Sequence, residues 1–339
     1  PAAAAVSALL AAACAPAAPA PARWTAGAAE PLPAADGVAA FDPDGDGVDE
    51  VAWARGGALQ WSGGSVALEG AFQAAAALGA PGGGQRLFIA TGAGRDHRDA
   101  AARVTELGPG GVRVWFDRPS PRAQITSLRP TPEGLWITIF RDDREVEGGL
   151  LREGGPLEVR AAGPLAMAMA PLPGGEVAVG RIYGDQPRSP GDLQVHGPSG
   201  RRALPGHRGV RALEAADLDG DGAPELISCD GWHAEYGQHA DPRVALYDGP
   251  RMEGHRTIAW LHGSYACEQI LVIGEGRGAA LAVRGSRGLY LLQRDGLGWA
   301  ADRLAELDEG AHLALARTAD GVDLLASGPS SLRIPLVRR

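Results

Sequence analysis

Two short stretches of the chain gather carboxylates at a spacing suited to a hard cation. Asp42, Asp44, Asp46 and Glu50 occupy positions 1, 3, 5 and 9 of one nine-residue run, and Asp217, Asp219, Asp221 and Glu225 occupy the same positions of another. In both runs the sixth position is glycine, Gly47 or Gly222, and the seventh, Val48 or Ala223, offers only its backbone carbonyl. Calcium takes roughly six to eight oxygen ligands at about 2.3–2.6 Å, and four carboxylates with one carbonyl wrapped round a tight turn supply most of them. Glycine permits the sharp turn that brings the two halves together. Three carboxylates within five residues repel one another without a cation, so Ca2+ is the expected cofactor, against the plainer reading of an Asp-Gly hairpin turn with no ion. Position 12 holds Trp53 in one run and Ser228 in the other. The bidentate Glu of a helix–loop–helix calcium site is therefore missing, and the flanks read as strands.

A third cluster runs from Cys229 and Asp230 through Trp232, His233, Glu235, Tyr236 and His239 to Asp241. These types bind transition metals, but without a fixed ligand spacing a polar loop with a disulfide is the stronger reading. The other histidines, including His97, His207, His255, His262 and His312, are isolated in sequence. No nucleophile elbow, P-loop or zinc-protease motif is present. Nothing in the sequence argues for catalysis.

Such turns need strands on either side. Fifty Gly and 26 Pro are spread along 339 residues, as many short strands joined by tight turns require. One unit recurs seven times, an apolar strand, a Gly-, Pro- or acid-rich turn and a second apolar strand: 38–41 to 51–54, 74–78 to 87–91, 125–128 to 135–140, 165–170 to 176–180, 210–216 to 225–228, 269–273 to 279–283, and 313–317 to 322–326. Turn centres from Asp46 to Asp320 give six steps over 274 residues, about 46 each. Further strands, such as 103–107 with 112–116 and 244–247 with 257–261, complete each unit. A period of about 40–50 residues with four short strands per unit is the mark of a propeller blade. The expected fold is all-β, a seven-bladed propeller of four-stranded antiparallel blades. Residues 332–337 give the last blade only a third strand, so 24–30 is expected to supply the outer one and close the ring. An open solenoid or a pair of β-sandwiches is the alternative.

Set between two strands, Asp-x-Asp-Gly-Asp-Gly-x-x-Glu resembles the calcium loop of FG-GAP and VCBS-type propellers, the integrin α-subunit propeller being a familiar relative. The resemblance covers the repeat over residues 24–339 and the acidic motif in two of seven units. It implies one site from Asp42, Asp44, Asp46, the Val48 carbonyl and Glu50, and a second from Asp217, Asp219, Asp221, the Ala223 carbonyl and Glu225. Glu stands at the last position where Asp is more usual. The 175 residues from Asp42 to Asp217 are about four periods, which places the loops in blades one and five. In the same layout Cys229 closes the second strand of blade five and Cys267 opens the first strand of blade six. Both lie at one end of neighbouring blades, and a disulfide between them is expected.

Loops joining second to third strands emerge at the end opposite the acidic turns. They are long and polar in four consecutive blades, carrying Asp96 and His97, Arg144, residues 183–192, and Trp232, His233, Tyr236 and His239. This end is the expected binding face, since loops on a rigid scaffold commonly carry recognition and a Trp with a Tyr suits an interface or a sugar. The formal charge is −9, with no lysine and no dense basic stripe, which argues against nucleic acid or anionic membrane surfaces as partners. Residues 1–22 form an apolar small-residue run followed by an Ala/Pro tract, too short to span a bilayer but shaped like a secretory signal. The stretch ending at Cys14 resembles a bacterial lipoprotein signal, which implies lipidation of Cys14 and membrane contact only through that anchor. Domain bounds are then 1–22 for the leader and tether and 23–339 for the propeller. The expectation is an exported, lipid-anchored module, periplasmic or on the outer cell surface, that binds a protein or a glycan. The alternative is a propeller enzyme acting on a polysaccharide or small molecule, by analogy of fold alone.

Overall fold

A computed structural model describes residues 23–339 apart from 81–82, 95–99, 120–122, 142–144, 165, 184–190, 207–208, 232–240, 250–251 and 297. The repeating units form seven antiparallel sheets arranged as a ring, and in blades one to six the strands lie in sequence order from the centre outward. Blade one runs from Gly37–Phe41 through Glu50–Arg55 and Ala58–Trp61 to Gly64–Ala67. The inner strands of blades two to seven are Ala71–Gly79, Gln124–Thr131, Ala166–Pro171, Val210–Ala216, Cys267–Ile273 and Leu313–Thr318.

Blade seven takes strands from both ends of the chain. Its third strand, Leu332–Arg338, pairs with Trp24–Ala26 and with Glu30–Pro31, so the expected outer strand is present in two short pieces. Arg23 and Arg339 exchange two backbone hydrogen bonds of 2.8 and 2.7 Å at the rim.

Burial follows position in the blade. Second strands are sandwiched on both faces, and Glu225–Asp230 and Ala280–Gly285 are buried at every residue. Outer strands such as Gly111–Arg118 are largely exposed. Each interface between neighbouring blades carries its own apolar cluster; Ile227 and Val244 of blade five, for example, pack on Ile270 and Leu281 of blade six. Among the described residues, the cluster between blades seven and one buries Val38, Ala316 and Leu325, with Ala40, Val51, Trp53 and Ala314 partly buried against it. Polar contacts reinforce it: the Arg317 guanidinium donates to Asp49 Oδ1 at 2.7 and 3.1 Å, and Asp49 N–H donates to the Arg317 carbonyl at 2.9 Å.

Glutamine side chains clamp other interfaces. The Gln269 amide accepts from Leu313 N–H at 2.9 Å and donates to the Leu313 carbonyl at 3.1 Å, tying blade six to seven. Gln293 holds both backbone groups of Trp24 in the same way. Gln73 accepts from Ile125 N–H of blade three while donating to the Ala93 carbonyl.

The inner strands of blades two to six share one irregularity. In each, the register with the second strand slips by one residue near the start, leaving Gln73, Thr126, Met167, Arg211 or Glu268 as the extra residue. A β-bulge of this kind re-aims the extra side chain. All five line the central tunnel.

Candidate functional site

The two acidic turns join inner to second strands in blades one and five, and their internal bonding matches residue for residue. In blade one, Asp42 accepts from the N–H groups of Gly45 at 2.7 Å and Gly47 at 3.0 Å; in blade five, Asp217 accepts from Gly220 at 2.6 Å and Gly222 at 2.9 Å. Asp44 and Asp219 each accept from the N–H two residues on, and so do Asp46 and Asp221, whose donors are Val48 and Ala223. Gly47 has φ +90° and Gly222 has φ +88°, and a Cβ at either would meet nothing within 4 Å. Glycine is therefore required by the left-handed backbone and not by space.

Within each loop three carboxylates converge. Oxygens of Asp42, Asp44 and Asp46 lie within 4.8 Å of one another, as do those of Asp217, Asp219 and Glu225. Glu50 and Asp221 stand outside these groups. The difference has a local cause in blade five, where Glu225 accepts from Leu218 N–H at 2.6 Å and is drawn into the turn. Glu50 instead has a buried Oε2 with no hydrogen-bond partner. Blade one also differs in charge, because Arg317 of blade seven reaches Asp42 Oδ2 at 3.4 Å.

These contacts move the carboxyl groups in different directions. Burial pulls Asp42 up, but the Gly45 and Gly47 N–H groups and Arg317 outweigh it and hold the carboxyl below its ordinary range. The Gly220 N–H does most to hold Asp217 down. Burial pushes Glu225 up, and Asp219 and Asp217 add to the shift against the Leu218 N–H.

The mixed cluster beginning at Cys229 is divided. Cys229 and Cys267 form a disulfide across blades five and six, with Cα atoms 5.7 Å apart. Asp230 accepts from the Arg243 N–H at 2.6 Å and Nε at 3.1 Å, and Asp241 lies 2.6 Å from His262 Nδ1. Trp232, His233, Tyr236 and His239 lie outside the described residues, as do Asp96, His97, Arg144 and Cys14.

A second polar centre, in the tunnel, has no signal in the sequence. Its cavity of about 530 Å3 is bordered by inner strands of all seven blades. Arg211, Glu268, Arg284 and His312 line it near the starts of the inner strands, away from the acidic turns; Arg284 sits across from Gln269 on the second strand of blade six. Arg284 Nη1 lies 2.5 Å from Glu268 Oε2. The one readable trace would have been a polar residue at the start of an otherwise apolar inner strand, repeated from blade to blade.

His312 sits against the Phe72 ring, centroids 5.1 Å apart. Burial pushes its pKa down from 6.5 to about 4, and Arg284 adds to the shift. The folded state therefore keeps His312 neutral while the unfolded chain binds a proton below about 6.5. The contribution is complete above that pH and is lost as pH falls toward 4, by about 3 kcal/mol in all. Urea unfolding in EDTA between pH 7 and 4 should show a smaller loss of stability for His312→Gln than for the wild type. Parallel curves for the two would refute it.

The chain matches no known family model and no curated protein.

Proposed function

We propose that this protein is a calcium-stabilised propeller that serves as an exported binding module for a protein or a glycan. The observation that carries the calcium reading is the matched pair of turns, with the same acidic spacing, the same backbone bonding and three converging carboxylates each. The donor set suits a hard cation, since every side chain is a carboxylate and both turns are tight. The orphaned Glu50 Oε2 and the crowding of Glu225 by Asp217 and Asp219 are both relieved by a positive charge in the turn. Asp42, Asp44, Asp46 and Glu50 would hold one ion, and Asp217, Asp219, Asp221 and Glu225 the other. The ion's part is structural, pinning the turn between two strands of a blade. Binding falls to the opposite end of the ring, and the leader at 1–22 supplies export and tethering.

Thermal unfolding with and without calcium tests the reading. A cation that binds only the folded state adds RT ln(1 + [L]/Kd), about 1.4 kcal/mol per site at ten times Kd. Asp219→Ala should remove more of the calcium-dependent part than Asp44→Ala, because Arg317 already neutralises part of the blade-one turn. Identical melting in EDTA and in millimolar calcium would overturn the calcium reading. A pull-down with the mature protein, with and without calcium, tests the binding role.

A further inference from the structure

We infer that the central tunnel holds a site for a small oxyanion, a carboxylate or a phosphate group, gripped by Arg211 and Arg284 at the end of the ring away from the acidic turns. The positive charge there is not matched. Arg211 stands near enough to Arg284 to disfavour its charge, and the carboxylate of Glu268 pairs with Arg284 alone among the described residues. Arg211 makes no ion pair with any described residue, and Arg284 is only 8% exposed with a buried Nε that lacks a hydrogen-bond partner. The third neighbour, His312, is neutral near pH 7 and does not balance them. A buried cation that is incompletely paired is costly, and the cost is offset when an anion completes the set.

The local excess runs against the character of the chain. The whole sequence carries a formal charge of −9, yet the tunnel lining holds four arginines and three carboxylates, Asp49, Glu214 and Glu268. Glu214 and Asp49 are taken by Arg129 at 3.2 Å and Arg317 at 2.7 Å, toward the acidic-turn end. That leaves the Arg211 end with the surplus. Guanidinium groups present a planar fork of donors that matches the oxygens of a carboxylate or phosphate. A cavity of about 530 Å3 is of the size that encloses a small molecule.

The fold also positions these groups. Arg211 and Glu268 are the extra residues of the bulges in blades five and six, and bulges commonly aim side chains into binding sites. Gln73 and Gln269, which line the same end, spend their amides on backbone groups and so set the wall without contacting a ligand.

The test uses the wild-type protein in EDTA, so that no anion acts by withdrawing calcium. Inorganic phosphate and succinate are titrated separately against sodium chloride of equal ionic strength, with the unfolding midpoint and calorimetric heat as readouts. One or both anions should raise the midpoint beyond the chloride control, and which of them does so identifies the group recognised. Arg211→Gln should weaken that binding at least tenfold while leaving the anion-free protein no less stable than the wild type. Because Arg284→Gln alone strands Glu268, the double variant Arg284→Gln/Glu268→Gln removes the pair together and should also lose binding. No shift beyond chloride with either anion, or an unchanged shift in Arg211→Gln, overturns the site.

Discussion

Replacing Trp24 by alanine is expected to cost about 3–5 kcal/mol, the range for deleting a large aromatic side chain from a packed interior. Trp24 is only 8% exposed although it stands second among the described residues, and it packs with Ile273, Leu289, Leu291 and Leu336 from blades six and seven. Its indole N–H donates to the Gly278 carbonyl at 3.1 Å, and its backbone is held on both sides by Gln293. The substitution removes the largest apolar group of the closing strand and leaves that carbonyl without its donor. Urea unfolding measures the loss. Hydrogen exchange should show residues 23–31 losing protection before any other strand, and uniform protection across the ring would show that Trp24 is not the latch.

The second large effect is expected at the disulfide. Cys229 and Cys267 are fully buried and 38 residues apart. Cross-linking a loop of that length removes chain entropy from the unfolded state worth about 4 kcal/mol in the loop-closure model. The double substitution Cys229→Ala/Cys267→Ala should lower the stability measured in urea by roughly that amount. The blade-five and blade-six interface has its own apolar cluster, so the ring should still assemble and keep its strand content. A loss below about 1 kcal/mol would mean that the cross-link adds little to what the flanking strands already restrain.

The seven hairpins could be read from the sequence because the period of about 46 residues is long compared with the error in any one strand boundary. Strands placed at 38–41, 125–128 and 269–273 appear at Gly37–Phe41, Gln124–Thr131 and Cys267–Ile273. The third strand at 332–337 and its N-terminal partner were legible for a different reason: a blade short of a strand at one end of the chain and a strand without a blade at the other. The acidic turns were visible because all their ligand candidates fall within nine residues. The tunnel was not, since Arg211, Glu268 and His312 come from three blades, 57 and 44 residues apart in sequence. Arginine is the only basic residue besides histidine, so its abundance carried no weight, and His312 stood alone. What sets Arg211 and Glu268 apart is a one-residue slip in register, which no periodicity in the apolar pattern announces.

The small apolar seam between blades seven and one has a consequence for how the molecule is made. Six of the seven interfaces join units adjacent in sequence and can dock as the chain is synthesised. The last must bring Val38 to Ala316, and completing blade seven must bring Trp24 to Arg338, contacts whose loop-closure cost falls due at the end. Closure is thus expected to come late, held by the Arg317–Asp49 pair at the seam and by Trp24 in blade seven, and until it happens the nascent molecule carries two open sheet edges. A chain that stops before Leu332 loses more than one strand: Trp24–Ala26 is left without a partner, and the edge of Gly321–Ala326 stays open to any other strand that meets it.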